Sequence, residues 1–213
     1  SPQVTDGDAK YIDGAKPGMI YNTVTSECFD GKKGIKVIPC YYKKDFPEWS
    51  DRGDGPGAPV AVHLPNSPVI QTGKRDGSKI RLPNGNYLEE TASYYVLVET
   101  KAGGMTPALI SMKSTQLNVS KKWNSMMKTI QIPDGKGGMA IPPMHGVVYN
   151  LQSVLQKNDK GSWYGWSVTQ DRIMGQEDKS LYLTAKDFNS TAAKGNVQTK
   201  ADVEEKAKDS TPY

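Results

Sequence analysis

Trp163, Tyr164 and Trp166 are packed into the segment Gly161-Ser162-Trp163-Tyr164-Gly165-Trp166, and Trp123 directly follows Lys121-Lys122. A flat ring stacks on any nucleobase and a lysine neutralises a phosphate, so basic and aromatic residues interleaved on a sheet supply what sequence-tolerant binding of single strands requires. Tyr41-Tyr42-Lys43-Lys44, with Trp49 close behind, and Tyr94-Tyr95 repeat the pattern. Neighbouring side chains on a strand leave opposite faces, so Trp163 points away from Tyr164 and Trp166, and each tyrosine pair sends one ring outward. One face of such a hairpin is core and the other is a candidate platform. Trp123 differs, because its spacing with Val119, Met126, Met127 and Ile130 is helical and places it on an apolar stripe meant for burial. The candidates for base stacking are therefore Tyr42, Trp49, Trp163 and Trp166. Those for phosphate contact are Lys43, Lys44, Lys74, Arg75, Lys121 and Lys122.

Catalytic patterns are missing by comparison. The chain has no GxxxxGK[ST] phosphate loop, no GxGxxG following a strand, no HExxH and no GxSxG elbow. Asp134-Gly135-Lys136-Gly137-Gly138 matches a phosphate cradle only in glycine content and reads as a turn. Glu48, Asp51 and Asp54 carry oxygen ligands suited to a divalent cation, but acids in a Gly/Pro-rich segment are ordinarily solvated. His63 and His145 stand without a motif that would make either a base, and read as satisfied strand-end residues. The expectation is a protein that is not an enzyme and uses no metal or cofactor. Cys28 and Cys40 fall in strand-like runs; two buried thiols are the default, and a hairpin would also allow a disulfide.

Length and composition bound the scaffold. The chain has 213 residues, 36% hydrophobic and 8% aromatic, with 21 glycines and 14 prolines. Those proportions suit many short strands and turns, with little helix. Residues 18–24 and 34–42 read as a hairpin across Asp30-Gly31, and 43–59 as a long surface loop holding Phe46 and Trp49. Short strands are expected at 60–63, 69–72, 79–82 and 94–100, spaced as in a barrel or sandwich. A helix is expected over 114–130, with Lys121, Lys122 and Lys128 off its apolar stripe. A second hairpin is expected from 147–155 and 162–169 across Asn158-Asp159-Lys160-Gly161, and 180–193 is open between a short helix and irregular structure. Residues 1–195 read as one β domain, and 196–213 as a polar, disordered tail. The net charge is +4, an excess that fits a polyanion and an ordinary solvated surface equally well. No run is long and apolar enough to span a bilayer, and Ser1-Pro2-Gln3 does not open a signal peptide. A cytoplasmic protein follows as the expectation.

Three segments together carry a resemblance. Gly14-Ala15-Lys16-Pro17-Gly18-Met19-Ile20-Tyr21-Asn22-Thr23-Val24-Thr25, the run Val37-Ile38-Pro39-Cys40-Tyr41-Tyr42-Lys43-Lys44 leading to Glu48-Trp49, and Ser111-Met112-Lys113-Ser114-Thr115-Gln116-Leu117 ahead of Trp123-Asn124 resemble tailed-bacteriophage single-stranded DNA-binding proteins of replication modules. The resemblance implies an OB-like antiparallel β-barrel, here elaborated by one amphipathic helix and long loops. It also implies a protein that coats single-stranded DNA in phage replication or recombination, in the cytoplasm of the infected bacterial host, with phage replication proteins as partners. One departure is the end of the chain: such proteins finish in a strongly acidic tail closed by an aromatic residue. Residues 201–213 here offset Asp202, Glu204, Glu205 and Asp209 with Lys206 and Lys208. The alternative reading is a virion structural protein, a decoration or tail component, whose aromatics form protein interfaces.

Overall fold

A short antiparallel pair, β1 (Ile20–Tyr21) with β2 (Cys28–Phe29), precedes a 15-residue strand, β3 (Ile35–Trp49). Gly34 sits at φ +78°, and a Cβ there would meet the Leu151 carbonyl oxygen at 2.6 Å. Only glycine takes that backbone conformation freely and lets the two chains approach so closely. The protein is described here by a computed structural model, which covers residues 14–51, 58–159 and 161–197. After β3 come β4 (Ala61–His63), α1 (Pro68–Thr72), β5 (Lys74–Asp76), β6 (Lys79–Arg81) and β7 (Tyr87–Glu89). They are followed by β8 (Thr91–Glu99), β9 (Met105–Lys113), α2 (Leu117–Thr129), β10 (Ile132–Pro133) and β11 (Met139–Ala140). The hairpin β12 (Val147–Asn158) and β13 (Gly161–Ile173) and the helix α3 (Lys179–Ala193) complete the order. The fold is mainly β and its pairings are antiparallel.

The chain forms two compact units: one of residues up to Tyr41, Tyr95–Leu109 and Ser125 onward, the other of Tyr42–Tyr94 and Ile110–Asn124. In the first, β3 pairs with β12 through Val37↔Tyr149, and β12 with β13 along its whole length. Its core joins Ile38, Cys40, Leu97 and Val148 to Ala185 of α3, with Leu181 and Phe188 packed alongside. Leu181, Ala185, Phe188 and Ala192 recur at helical spacing, which gives α3 the single apolar stripe it lays on the strands. Cys40 is buried there, and loss of water pushes its thiol up to about 12. Within the second unit, β3 pairs with β4 on one side and with β7, β6 and β5 in succession on the other. Phe46, Ile80, Leu82 and Leu88 form its core, with Val69 and Ile70 of α1 against them. Trp123 of α2 is fully buried and stacks on Tyr94 at 4.4 Å between centroids, while the Tyr94 hydroxyl bonds Ser120 one turn away. The expected stripe is real: Trp123, Met127 and Ile130 are buried, and Lys121, Lys122 and Lys128 are exposed.

Several expectations change. Residues 18–24 do not pair with 34–42; Ile20 opposes Phe29, and β3 takes partners far along the chain instead. The expected loop at 43–59 is strand as far as Trp49, because Asp45, Phe46 and Glu48 are buried despite the polar composition around them. Residues 69–72 are helical, since Ser67-Pro68 starts a turn with proline at a position that needs no N–H donor. Strand β9 was not expected, as Pro107 and exposed residues break its apolar pattern. Cys28 and Cys40 are free thiols, the first half-buried and the second buried. Strand order ends at β5 and at β13 without joining, so the sheets are open and the expected barrel is not closed among the described residues. Asp54, Lys160 and the expected tail from residue 198 onward lie outside the described residues.

Candidate functional site

Register fixes which side chains share a face in the second unit. Trp49 opposes Tyr87, Tyr87 opposes Arg81, and Arg81 opposes Lys74, so these four form one row across β3, β7, β6 and β5. The next row on that face holds Glu89, Lys79 and Asp76. Lys79 Nζ lies 3.6 Å from the centroid of the Tyr87 ring and the Arg81 guanidinium 5.5 Å from it, a cation–π arrangement that occupies the ring. Arg81 donates to Asp51 at 2.9 Å and to Asp76 at 3.3 Å, and Lys113 reaches Glu89 at 2.7 Å. Aromatic and basic residues meet on this sheet face; Arg81 is paired with Asp51 and Asp76 and Lys79 opposes Glu89, while Lys74 forms no ion pair among the described residues. Tyr87 was missed because only the pairing of β7 with β3 brings it next to Trp49.

The remaining candidates are dispersed. Tyr42 packs on Tyr94 at 4.9 Å, extending the Tyr94–Trp123 stack. Lys43 pairs with Asp45 at 3.0 Å and Lys44 with Glu90 at 2.6 Å, so two of the proposed phosphate contacts already have anions. Arg75 opposes Ile80 and leaves the pleat on the side away from Lys74. Lys121 and Lys122 are exposed on α2 and, with Lys74 and Arg75, form no ion pair among the described residues. Trp163 and Trp166 belong to the first unit. Trp166 opposes Ser153 and Tyr164 opposes Leu155, whereas Trp163 opposes Gln156 on the other face. Tyr164 lies against Gly18, where an added Cβ would sit 2.7 Å from its ring. All three aromatics are half-buried, and the Trp163 indole N–H is buried without a hydrogen-bond partner among the described residues.

The groups with reactive potential are tied into structure. Glu48 is buried and accepts hydrogen bonds from His63 Nε2 at 2.7 Å, Asn86 Nδ2 at 2.6 Å and Asn84 Nδ2 at 3.1 Å. The Asn86 and His63 bonds hold its pKa below the usual carboxylate value. The cluster clamps β4 and the turn after β6 onto β3, and nothing in its spacing along the chain announces it. In the glycine-rich turn, the Asp134 carboxylate accepts from the backbone N–H of Lys136 at 2.7 Å and of Gly138 at 2.9 Å. Those N–H groups face an internal carboxylate and not a phosphate. His145 is buried against Tyr182 at 5.2 Å, and desolvation, with Lys186 nearby, lowers its pKa.

Exposed apolar side chains form the remaining feature. Val60, Val62 and Leu64 are 58%, 57% and 65% exposed, and Val62 opposes Pro47 on the face that carries Trp49. Beyond the pairing with β3, β4 has no strand against it among the described residues. Leu155, next to Tyr164 on the β12–β13 hairpin, is 62% exposed. No curated protein and no solved structure matches the chain. A family described as Pam3 phage gp34-like protein matches residues 1–198. The chain belongs to this phage protein family.

Proposed function

We propose that this phage protein is a non-catalytic component of the virion or of its assembly, working through protein contacts made by open sheet edges. The observation that carries this reading is β4, which among the described residues pairs only with β3 and exposes Val62, with exposed, apolar Val60 and Leu64 on either side of the strand. Exposed apolar stripes beside a charge-balanced surface suit protein partners, since such interfaces combine an apolar centre with a polar rim. On the adjoining face Arg81 is paired with both Asp51 and Asp76 and Lys79 opposes Glu89, which weakens the field such a face offers a polyanion. Purified phage particles should contain the protein in many copies, read by quantitative mass spectrometry of banded virions.

A second reading, single-stranded DNA binding during replication or recombination, is favoured by Lys121 and Lys122, which are exposed and unpaired by acids among the described residues. The half-buried rings of Trp49, Trp163 and Trp166 would then supply stacking. Such a protein binds labelled oligothymidine more tightly than matching duplex. With three to five lysine–phosphate contacts the log–log salt slope is roughly −2 to −3.5. Equal or tighter binding of the duplex removes this reading. This second role would be exercised in the cytoplasm of the infected bacterium.

A further inference from the structure

We propose that His145 is an acid-sensitive latch for α3: with a neutral ring α3 closes on the strands of the first unit, and with a protonated ring α3 is released while the sheet stays folded. The ring lies in the turn Met144–Gly146 that leads into β12, and α3 packs on that turn, bringing Tyr182 to 5.2 Å between ring centroids. The sequence suggested a histidine with its hydrogen bonds met. Instead His145 is buried, and neither ring nitrogen has a hydrogen-bond partner among the described residues.

Such a site holds a neutral imidazole far better than an imidazolium, which carries two N–H donors and loses more on leaving water. Burial, and after it the like charge of Lys186 one turn beyond Tyr182 on α3, lowers the pKa of the ring. The acids of the adjoining segments are engaged elsewhere: Asp171 of β13 pairs with Lys36, Asp178 at the start of α3 pairs with Arg172, and Glu177 lies against Gly175. A charged ring must therefore reach water. On one side Val147 and Val148 follow it directly, buried in β12 and paired with β13. On the other, α3 is held by an apolar stripe in which Ala185 is small and Leu181 and Phe188 are half-buried, with Asn189 donating to the Cys40 carbonyl. Elements held by few apolar contacts are those that open below the global unfolding free energy, so α3 is the side that yields. The open state takes up its proton at the ordinary histidine pKa of about 6.5 and the closed state at a lower one. Closure is thus fully stable above about pH 6.5 and weakens as pH falls towards the lower value, by up to ~10-fold in the opening constant per pH unit.

Hydrogen exchange of the full chain, read by mass spectrometry between about pH 7.5 and about pH 5 and corrected for the pH dependence of the exchange chemistry, tests the latch. The amides of α3 should open ~5-fold or more readily at the acid end, while those of β12 and β13 keep their protection. His145→Phe keeps a buried ring that cannot be charged, so its α3 opening should change less than ~2-fold over the same range. Lys186→Gln alters an exposed residue; without that like charge the closed-state pKa moves nearer the open-state one, and the acid response should be smaller than in the unchanged protein. His63, the other histidine of the chain, belongs to the second unit, so its protonation is read in different amides. Should His145→Phe not fold, the imidazole proton resonances of the unchanged protein serve instead, and His145 should titrate below about 6.5. Protection of α3 that does not change with pH, a loss shared equally by β12 and β13, a phenylalanine variant that opens in acid as before, or a His145 midpoint at or above about 6.5 would each overturn the latch. None of these outcomes depends on whether the protein acts in the particle or on DNA.

Discussion

Trp123 and Trp49 show how differently one residue type is used in this chain. Trp123 is fully buried in its stack with Tyr94, so Trp123→Ala removes both packing and the ring contact. A loss of about 3–5 kcal/mol of stability is expected from urea unfolding, with no change confined to binding. Its burial was legible, because helical spacing with Met127 and Ile130 can be read locally. The ion pairs of Lys43 and Lys44 were not: they depend on Asp45 turning back along the strand and on Glu90 arriving from elsewhere. Glu48 was equally hidden, since His63, Asn84 and Asn86 reach it only in the folded chain. Those bonds favour its charged form, so its folded pKa lies below the unfolded value. The stability it contributes is present above the unfolded carboxylate pKa and is lost as pH falls through the lower folded one. The unfolding midpoint of the unchanged protein should therefore drop in acid below the normal glutamate value. Glu48→Gln should be less stable at neutral pH and show less of that acid-dependent loss; an unchanged acid profile in the variant would contradict the clamp.

At the level of elements, the second hairpin and α2 were readable because each announces itself locally. The Asn158-Asp159-Lys160-Gly161 connection joins β12 to β13, and α2 repeats its apolar positions over several turns. Helix α3 also has a clear stripe, but Ala185 and Ala192 supply it with small side chains that a hydrophobicity pattern barely registers. Ala185 is fully buried against the Ile38–Cys40 strand, so Ala185→Leu should cost roughly 1–3 kcal/mol by overpacking, visible as a lowered melting temperature. A variant of unchanged stability would mean that α3 can lift from the strands at little cost. Strand β3 was mistaken for loop beyond Tyr42 because lysines, acids and Pro47 obscure the alternation. Its partners β4 and β7 come from distant sequence, and the register that lines up Trp49 with Tyr87 exists only once they pair. The candidate surface was thus half visible: its residue types were present in the sequence, and their arrangement was not.

For the whole molecule, composition pointed to a β protein of modest positive charge, and the structure shows where that charge goes. Lys43, Lys44, Arg81 and Lys113 are paired with Asp45, Glu90, Asp51, Asp76 and Glu89, pairings that leave the net charge at +4 and could not be foreseen from it. The apolar edge at β4 has no such compensation. Membership of a phage family is consistent with assembly and replication alike, and location in the particle separates the two. The direct measurement is quantitative mass spectrometry of virions purified from infected cells, with the protein's copy number referred to the major capsid protein. A protein that works through its sheet edges in the particle is found there at a fixed, multiple copy number that survives washing in high salt. Its absence from washed virions, with the protein recovered instead on single-stranded DNA in the lysate, would contradict that role.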